Sequence, residues 1–200
     1  LMPFGFESRF VPLTRRNLAQ RERLARVSDL APIAGELRLG VSRSFGERPR
    51  DGLAGFLERF GLDFRNVVVV PEERRESLYQ MLLDERIDGM IGFSTDPQSV
   101  DFGLAPLAVD QLFFPPYEAA PLTSAAAIMR HPTLPDALAP LGGAIDAAAL
   151  RELVRQVQVT GRTPRAVAAI ALARLGIAKG DAGAPPEIPL AIALDPHELG

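Results

Sequence analysis

Groups able to do covalent or metal chemistry are sparse in this chain. The imidazoles are those of His131 and His197, and cysteine is absent, so no thiolate nucleophile, disulfide framework or Cys-based metal site is available. A histidine zinc site or a Ser-His-Asp triad has little to draw on, because His131 precedes Pro132 and reads as a surface turn residue. Carboxylates are scattered, no glycine-rich phosphate loop occurs, and no nucleophile is paired with a base. Catalytic residues, metal ligands and cofactors are therefore all expected to be absent, and the residues do not read as those of an enzyme. Asp88, beside Gly89, reads as structural, and Asp96 as closing a turn or capping a helix. The distinctive constellation is Phe113-Phe114-Pro115-Pro116-Tyr117-Glu118-Ala119-Ala120-Pro121. Prolines beside aromatics at this density cannot form a central strand or a helix interior. Tyr117 is thus expected in a backbone-fixed loop, where a binding role is the better reading.

Length and charge bound the rest. Two hundred residues with 47% hydrophobic content support a true core, as one large domain or two small lobes. The formal net charge of −3, with arginines interspersed among carboxylates, gives no electrostatic reason to expect a nucleic-acid partner. No apolar run approaches the length of a bilayer span. The chain begins at Leu1 without a signal peptide and reads as a piece of something longer.

The elements that must position these side chains alternate as in an α/β protein. Residues 6–12 read as a short strand and 13–27 as an amphipathic helix with Leu18, Leu24 and Val27 on its apolar side. Ser28 reads as the N-cap of a short second helix, with Asp29 in its first turn. Residues 37–41 alternate like a strand, and 51–60 are helical, with Leu53, Phe56, Leu57 and Phe60 at core spacing and Gly61 as the stop. The run Val67 to Val70 predicts a strand buried on both faces. Residues 72–86 predict a helix with Leu78, Met81 and Leu82 inward, and 87–93 another buried strand. The span 36–93 therefore predicts a parallel sheet with right-handed crossovers and helices on both faces. A strand at 104–109 and helices at 146–159 and 163–175 follow, the first helix capped by Asp146 and the second opened by Thr163-Pro164. Residues 178–189 read as a Gly/Pro-rich linker, and 189–194 as the start of a further element.

Three stretches, taken in order, resemble the glycine betaine/carnitine/choline-binding family of ABC importers. They are Ser28-Asp29-Leu30-Ala31 with the later Arg50-Asp51-Gly52-Leu53; Ile87-Asp88-Gly89-Met90-Ile91-Gly92-Phe93-Ser94-Thr95-Asp96; and the Phe113 to Pro121 run with Ile145-Asp146 and Gly161-Arg162-Thr163-Pro164 downstream. The aromatic–proline run is the most specific of them, and the resemblance covers about residues 4–175. It implies an α/β, type II periplasmic-binding-protein-like fold, with one complete lobe, part of the second, and ligand in the cleft between. By this reading residues 1–12 are a crossover segment and 13–96 the complete lobe. Residues 97–177 would be a crossover and the C-terminal half of the other lobe, and 178–200 a linker or further element. Family members carry a preceding segment that builds the first half of that other lobe, so weak solute binding is expected of this piece alone.

The resemblance also implies a site. A quaternary ammonium group has no hydrogen to donate, so it is recognised by cation–π attraction and shape, at roughly 0.5 to 2 kcal/mol per aromatic face. In the family, tyrosines from several segments form the box. Tyr117 matches one of them, while Phe10 and Phe93 stand where tyrosine is usual, keeping the π face without the hydroxyl. Phe10 and Phe93 adjoin predicted strands, so an ordinary core role stands beside the ligand-facing one. Ser8 occupies a position that is often Asn or Asp. An arginine before the Asp-Gly pair anchors a ligand carboxylate in the family, which here leaves Arg48 and Arg50 as alternatives. The implied partners are a small quaternary ammonium solute and an ABC permease, as a subunit or fused domain. The implied location is the periplasmic or extracellular face of the cytoplasmic membrane. Two other readings share the fold: an effector-binding regulatory domain, and a degenerate binding domain within a fusion protein.

Overall fold

A computed structural model describes residues 1–177. The residues read as a linker and further element, 178–200, and His197 with them, lie outside the described part. The elements are β1 (Phe10–Thr14), α1 (Arg16–Glu22), β2 (Arg38–Ser42), α2 (Arg43–Glu47), α3 (Leu53–Phe60), β3 (Asn66–Val70), α4 (Ser77–Leu83), β4 (Gly89–Phe93), α5 (Gln98–Asp101), β5 (Ala105–Pro106), α6 (Ala125–Arg130), α7 (Leu134–Leu138), α8 (Ala147–Gln158) and α9 (Pro164–Arg174).

One five-stranded sheet runs in the order β3-β2-β4-β1-β5. β2 pairs in parallel with β3 and with β4, as the alternation over 36–93 predicts. β1 is antiparallel to both β4 and β5, so the sheet as a whole is mixed. Side chains alternate between two cores. Leu39, Val41, Ile91 and Phe10 join Phe45, Phe56 and Phe60 from α2 and α3 on one face. Leu13, Met90 and Val70 join Leu78, Tyr79 and Leu82 from α4 on the other. Gly40 belongs to the α4 face, where a Cβ would lie 2.5 Å from Ile87 Cδ1 and 2.8 Å from Leu78 Cδ2. That glycine lets α4 sit directly on the central strand.

Several boundaries differ from the sequence reading, each for a local reason. The first strand is β1 at Phe10–Thr14 rather than 6–12, because Leu13 and Thr14 pair with Met90 and Gly89 and the Thr14 hydroxyl donates to the Asp88 carbonyl at 2.7 Å. The helix expected over 13–27 shrinks to α1, which Arg23 ends in the left-handed region at φ 58°. Ser28 is not a cap. The turn Val27–Leu30 is 3₁₀, and Asp29 accepts from the backbone N–H groups of Ala25 and Arg26 at its entry. The valine run is not buried on both faces: β3 is an edge strand, and Val69 is 50% exposed. Strand periodicity reports what a face would bury, not whether a neighbour exists beyond the edge. The helix expected over 72–86 splits into a 3₁₀ turn, Glu72–Arg74, and α4. The strand expected over 104–109 narrows to β5, where Pro106 interrupts the ladder.

The later helices lie as the caps predict. Asp146 accepts from the Ala149 N–H at 2.7 Å at the start of α8, and Thr163 accepts from Ala166 at the start of α9. α8 rests on the sheet body through polar contacts: Arg155 with Asp101, Arg151 with the Ser94 carbonyl at 2.9 Å, and Gln158 with Glu76 at 2.6 Å. Between Ala108 and Ile177 only Val167 is buried. No helix among the described residues is long and apolar enough to cross a membrane.

Candidate functional site

Three chain segments meet at one end of the sheet. β1 delivers Phe10 and β4 delivers Phe93 in direct cross-strand register, and the rings lie 4.8 Å apart. The proline-fixed segment 113–117 lays Phe114 and Tyr117 over Phe10, at 5.5 Å and 6.4 Å. Phe45 from α2 closes the cluster from below, 5.0 Å from Phe10. Phe10 is 6% exposed, while Phe93 and Tyr117 are half-buried. Phe10 is thus the buried member of the group, and Phe93 and Tyr117 are partly exposed.

Ser8 sits where the segments cross. Its N–H donates to the Tyr117 carbonyl at 3.2 Å, and its hydroxyl lies 3.3 Å from Thr95 Oγ1. The isolated bridge between Glu7 and Glu118 continues this pairing. Ser8 therefore works as a joint between the two segments.

The arginines before Asp51-Gly52 separate in space. Arg50 is exposed on the turn, whereas Arg48 reaches into the aromatic group. Its guanidinium carbon lies 5.5 Å from the Phe10 ring centre and 5.6 Å from that of Tyr117. Nε donates to Asp51 Oδ1 at 3.1 Å, and a terminal nitrogen donates to the Tyr117 hydroxyl at 3.0 Å. The Tyr117 hydroxyl in turn donates to the other Asp51 oxygen. Burial, and then the hydrogen bond to Asp51, push the Tyr117 phenol up to about 12. Burial alone would raise the Asp51 carboxyl, but the hydrogen bonds from Arg48 and Tyr117 hold it below its ordinary value. Gly52 makes the turn possible: a Cβ there would lie 2.5 Å from the Arg48 carbonyl oxygen and 2.6 Å from that of Phe45.

A second arginine covers Phe93. Arg75 lies 4.9 Å above that ring and forks onto Asp96, at 2.5 Å and 3.2 Å. Asp96 also accepts from the Tyr79 hydroxyl at 2.7 Å and the Phe93 N–H at 3.0 Å. Burial, reinforced by Asp96, raises the Tyr79 phenol far above its ordinary value, so it stays a donor. Gly92 gives Tyr79 room, since a Cβ would stand 2.6 Å from its hydroxyl oxygen. Asp96 therefore closes the Phe93–Asp96 turn from inside, held by Arg75 and Tyr79; these two, and Phe45 beneath Phe10, are residues the sequence reading did not select. Phe114 was legible within the aromatic run. Tyr79 was not, because only the fold brings position 79 beneath position 92.

A groove of about 600 Å³ runs beside this cluster between β1 and residues 106–116. It touches Phe10, Phe113 and Phe114 but not Tyr117, Phe93 or Arg48. The groove is a concave, largely apolar surface, whereas the π faces and anchored charges gather on the cluster, which is the candidate site.

The chain is similar to known proteins along most of its length. The family profile described as the substrate binding domain of ABC-type glycine betaine transport systems matches residues 8–174. The carnitine transport binding protein OpuCC of Listeria monocytogenes is 28% identical over 165 residues, which are 82% of this chain and 53% of that protein. The ergothioneine transport permease/ergothioneine binding protein EgtU of Helicobacter pylori is 27% identical over 173 residues, 86% of this chain and 31% of that protein. A solved glycine betaine/carnitine/choline ABC transporter structure superposes with a TM-score of 0.73 at 29% identity, covering 88% of this chain and 64% of that one. The chain spans about half the length of OpuCC. The fold is α/β of the type II periplasmic-binding-protein kind.

Proposed function

We propose, on the premise that this chain belongs to the family of substrate-binding domains of ABC-type glycine betaine transport systems, that it contributes to binding a quaternary ammonium solute for import. The family is one of solute-binding proteins and not of enzymes. The observation that carries the reading is the convergence of Phe10, Phe93 and Tyr117 from distant segments into one aromatic group. Such faces suit a cation without hydrogen-bond donors. Tyr117, Phe10 and Phe93 are the candidate ligand walls, Phe10 being the most buried of them, and Ser8 the joint that holds the segments together. Of the two candidate carboxylate anchors, Arg48 has the better position and Arg50 remains the peripheral one. In this reading residues 13–96 form one lobe, 1–12 and the start of 97–177 cross between lobes, and the remainder belongs to the second lobe. The partner is an ABC permease, as a subunit or a fused domain, reached from the periplasmic or extracellular side.

One observation favours a second reading, a binding domain that has lost its ligand: Arg48 and Arg75 already lie against aromatic faces of the group. A thermal-shift panel on the full-length gene product separates the two. Glycine betaine, carnitine and choline should raise the melting temperature, while glycine and ethanolamine, which lack the methyl groups, should not. No shift with any methylated ligand, or equal shifts with the unmethylated ones, contradicts the proposed function.

A further inference from the structure

We infer that Arg48 is an internal plug: its guanidinium occupies the cation seat between Phe10 and Tyr117, and a solute uses that seat only after Arg48 has left it. The inference rests on the quaternary ammonium reading of the site and concerns what controls access to it.

The geometry is that of a cation already bound. The guanidinium carbon is nearly equidistant from both ring centres, at 5.5 Å and 5.6 Å, within the range over which a π face attracts positive charge. The two rings stand at 89° to one another, so they form two walls of a corner with Arg48 in it. The side chain is 17% exposed, and that of its partner Asp51 is 18% exposed. The contact is therefore a part-buried ion pair and not a solvated surface one. Asp51 is the catch. It accepts from Arg48 on one oxygen and from Tyr117 on the other, so this carboxylate bonds both the plug and the wall.

A solute ammonium and a guanidinium compete for the same feature, the negative face of the rings, and like charges cannot share one corner. Arg48 extends from the turn between α2 and α3, outside both helices, and its bonds to Asp51 and to the Tyr117 hydroxyl are side-chain bonds. When it swings out, the Phe10–Tyr117 corner opens, and the freed guanidinium fork becomes available to a ligand carboxylate.

Calorimetry and NMR on the full-length gene product test this with choline and glycine betaine as probes. Arg48→Met keeps the aliphatic bulk and removes the competing charge. It should bind choline about tenfold more tightly than the wild type, because apparent affinity is reduced by the fraction of molecules whose seat is filled. In the wild type, the Arg48 Nε–H resonance, assigned by its loss in Arg48→Met, should move as choline is added. That second measurement does not depend on the variant folding. If choline binds while the Nε–H signal stays in place, or if Arg48→Met binds choline no more tightly than the wild type, the plug is refuted and the functional reading stands. If neither protein binds either probe, the quaternary ammonium reading fails and the plug falls with it.

Discussion

Phe10 shows how much one ring can carry. It contacts Phe45, Phe93, Phe114 and Tyr117 and has Arg48 over its face, yet it is almost fully buried. A tyrosine there would add a hydroxyl to a buried ring that four aromatic neighbours enclose. Phe10→Tyr should lower stability by about 1–2 kcal/mol, measured by urea denaturation. An unchanged midpoint would mean that the ring edge reaches solvent after all. Phe93 differs, being half-buried with Arg75 on one side, so Phe93→Tyr should leave stability within about 0.5 kcal/mol. The sequence left core and ligand roles open for both residues. Burial separates them, and burial depends on Phe45 and Phe114, whose approach to Phe10 no local pattern encodes.

At the scale of elements, glycines set the site more firmly than aromatics do. Gly92 exists so that Tyr79 on α4 can reach past β4 to Asp96. Gly92→Ala should cost about 2 kcal/mol through the clash with Tyr79, and should also loosen the turn that presents Phe93. Denaturant melts of Gly92→Ala and of the double variant with Tyr79→Phe test the cause. The second change should recover part of the loss if the hydroxyl is the obstacle, and none if the strand itself is disturbed. The helix caps at Asp146 and Thr163 and the parallel span 36–93 were legible because capping and alternation are local rules. The exposed edge at β3 and the antiparallel return of β1 were not, because they depend on which strand stands next to which.

Over the whole molecule, one carboxylate ties the sheet together. Asp88 receives Arg15 at 2.9 Å and the Arg38 side chain at 2.9 Å and 3.1 Å, and also accepts the Arg38 N–H at 3.0 Å, joining the loop before β4 to β2 and to the end of β1. Burial would raise its carboxyl, but the hydrogen bonds from Arg38 and Arg15 hold it at about 2, below the ordinary 3.8. A carboxyl depressed in the folded state stabilises the fold above its unfolded pKa, and that contribution is lost as pH falls through the folded value. The melting temperature should thus be level from about pH 7 to 5 and fall below about pH 4. Asp88→Asn should melt lower at neutral pH, by about 2 kcal/mol in stability, and fall less steeply in acid. An acid profile unchanged by that substitution would assign the slope to other carboxylates. The sequence marked Asp88 as structural, but its arginine partners, 73 and 50 positions away, became visible only in the fold.

The central claim, that the Tyr117 ring is a wall of a quaternary ammonium site, meets its most direct test in calorimetric titration of the full-length gene product and its Tyr117→Ala and Tyr117→Phe variants with glycine betaine and choline. Loss of one desolvated cation–π contact is worth about 2 kcal/mol, so Tyr117→Ala should weaken binding roughly thirtyfold. Tyr117→Phe keeps the π face and should lose far less. Unchanged affinity in a folded Tyr117→Ala protein would contradict the aromatic site and the ligand class inferred from it.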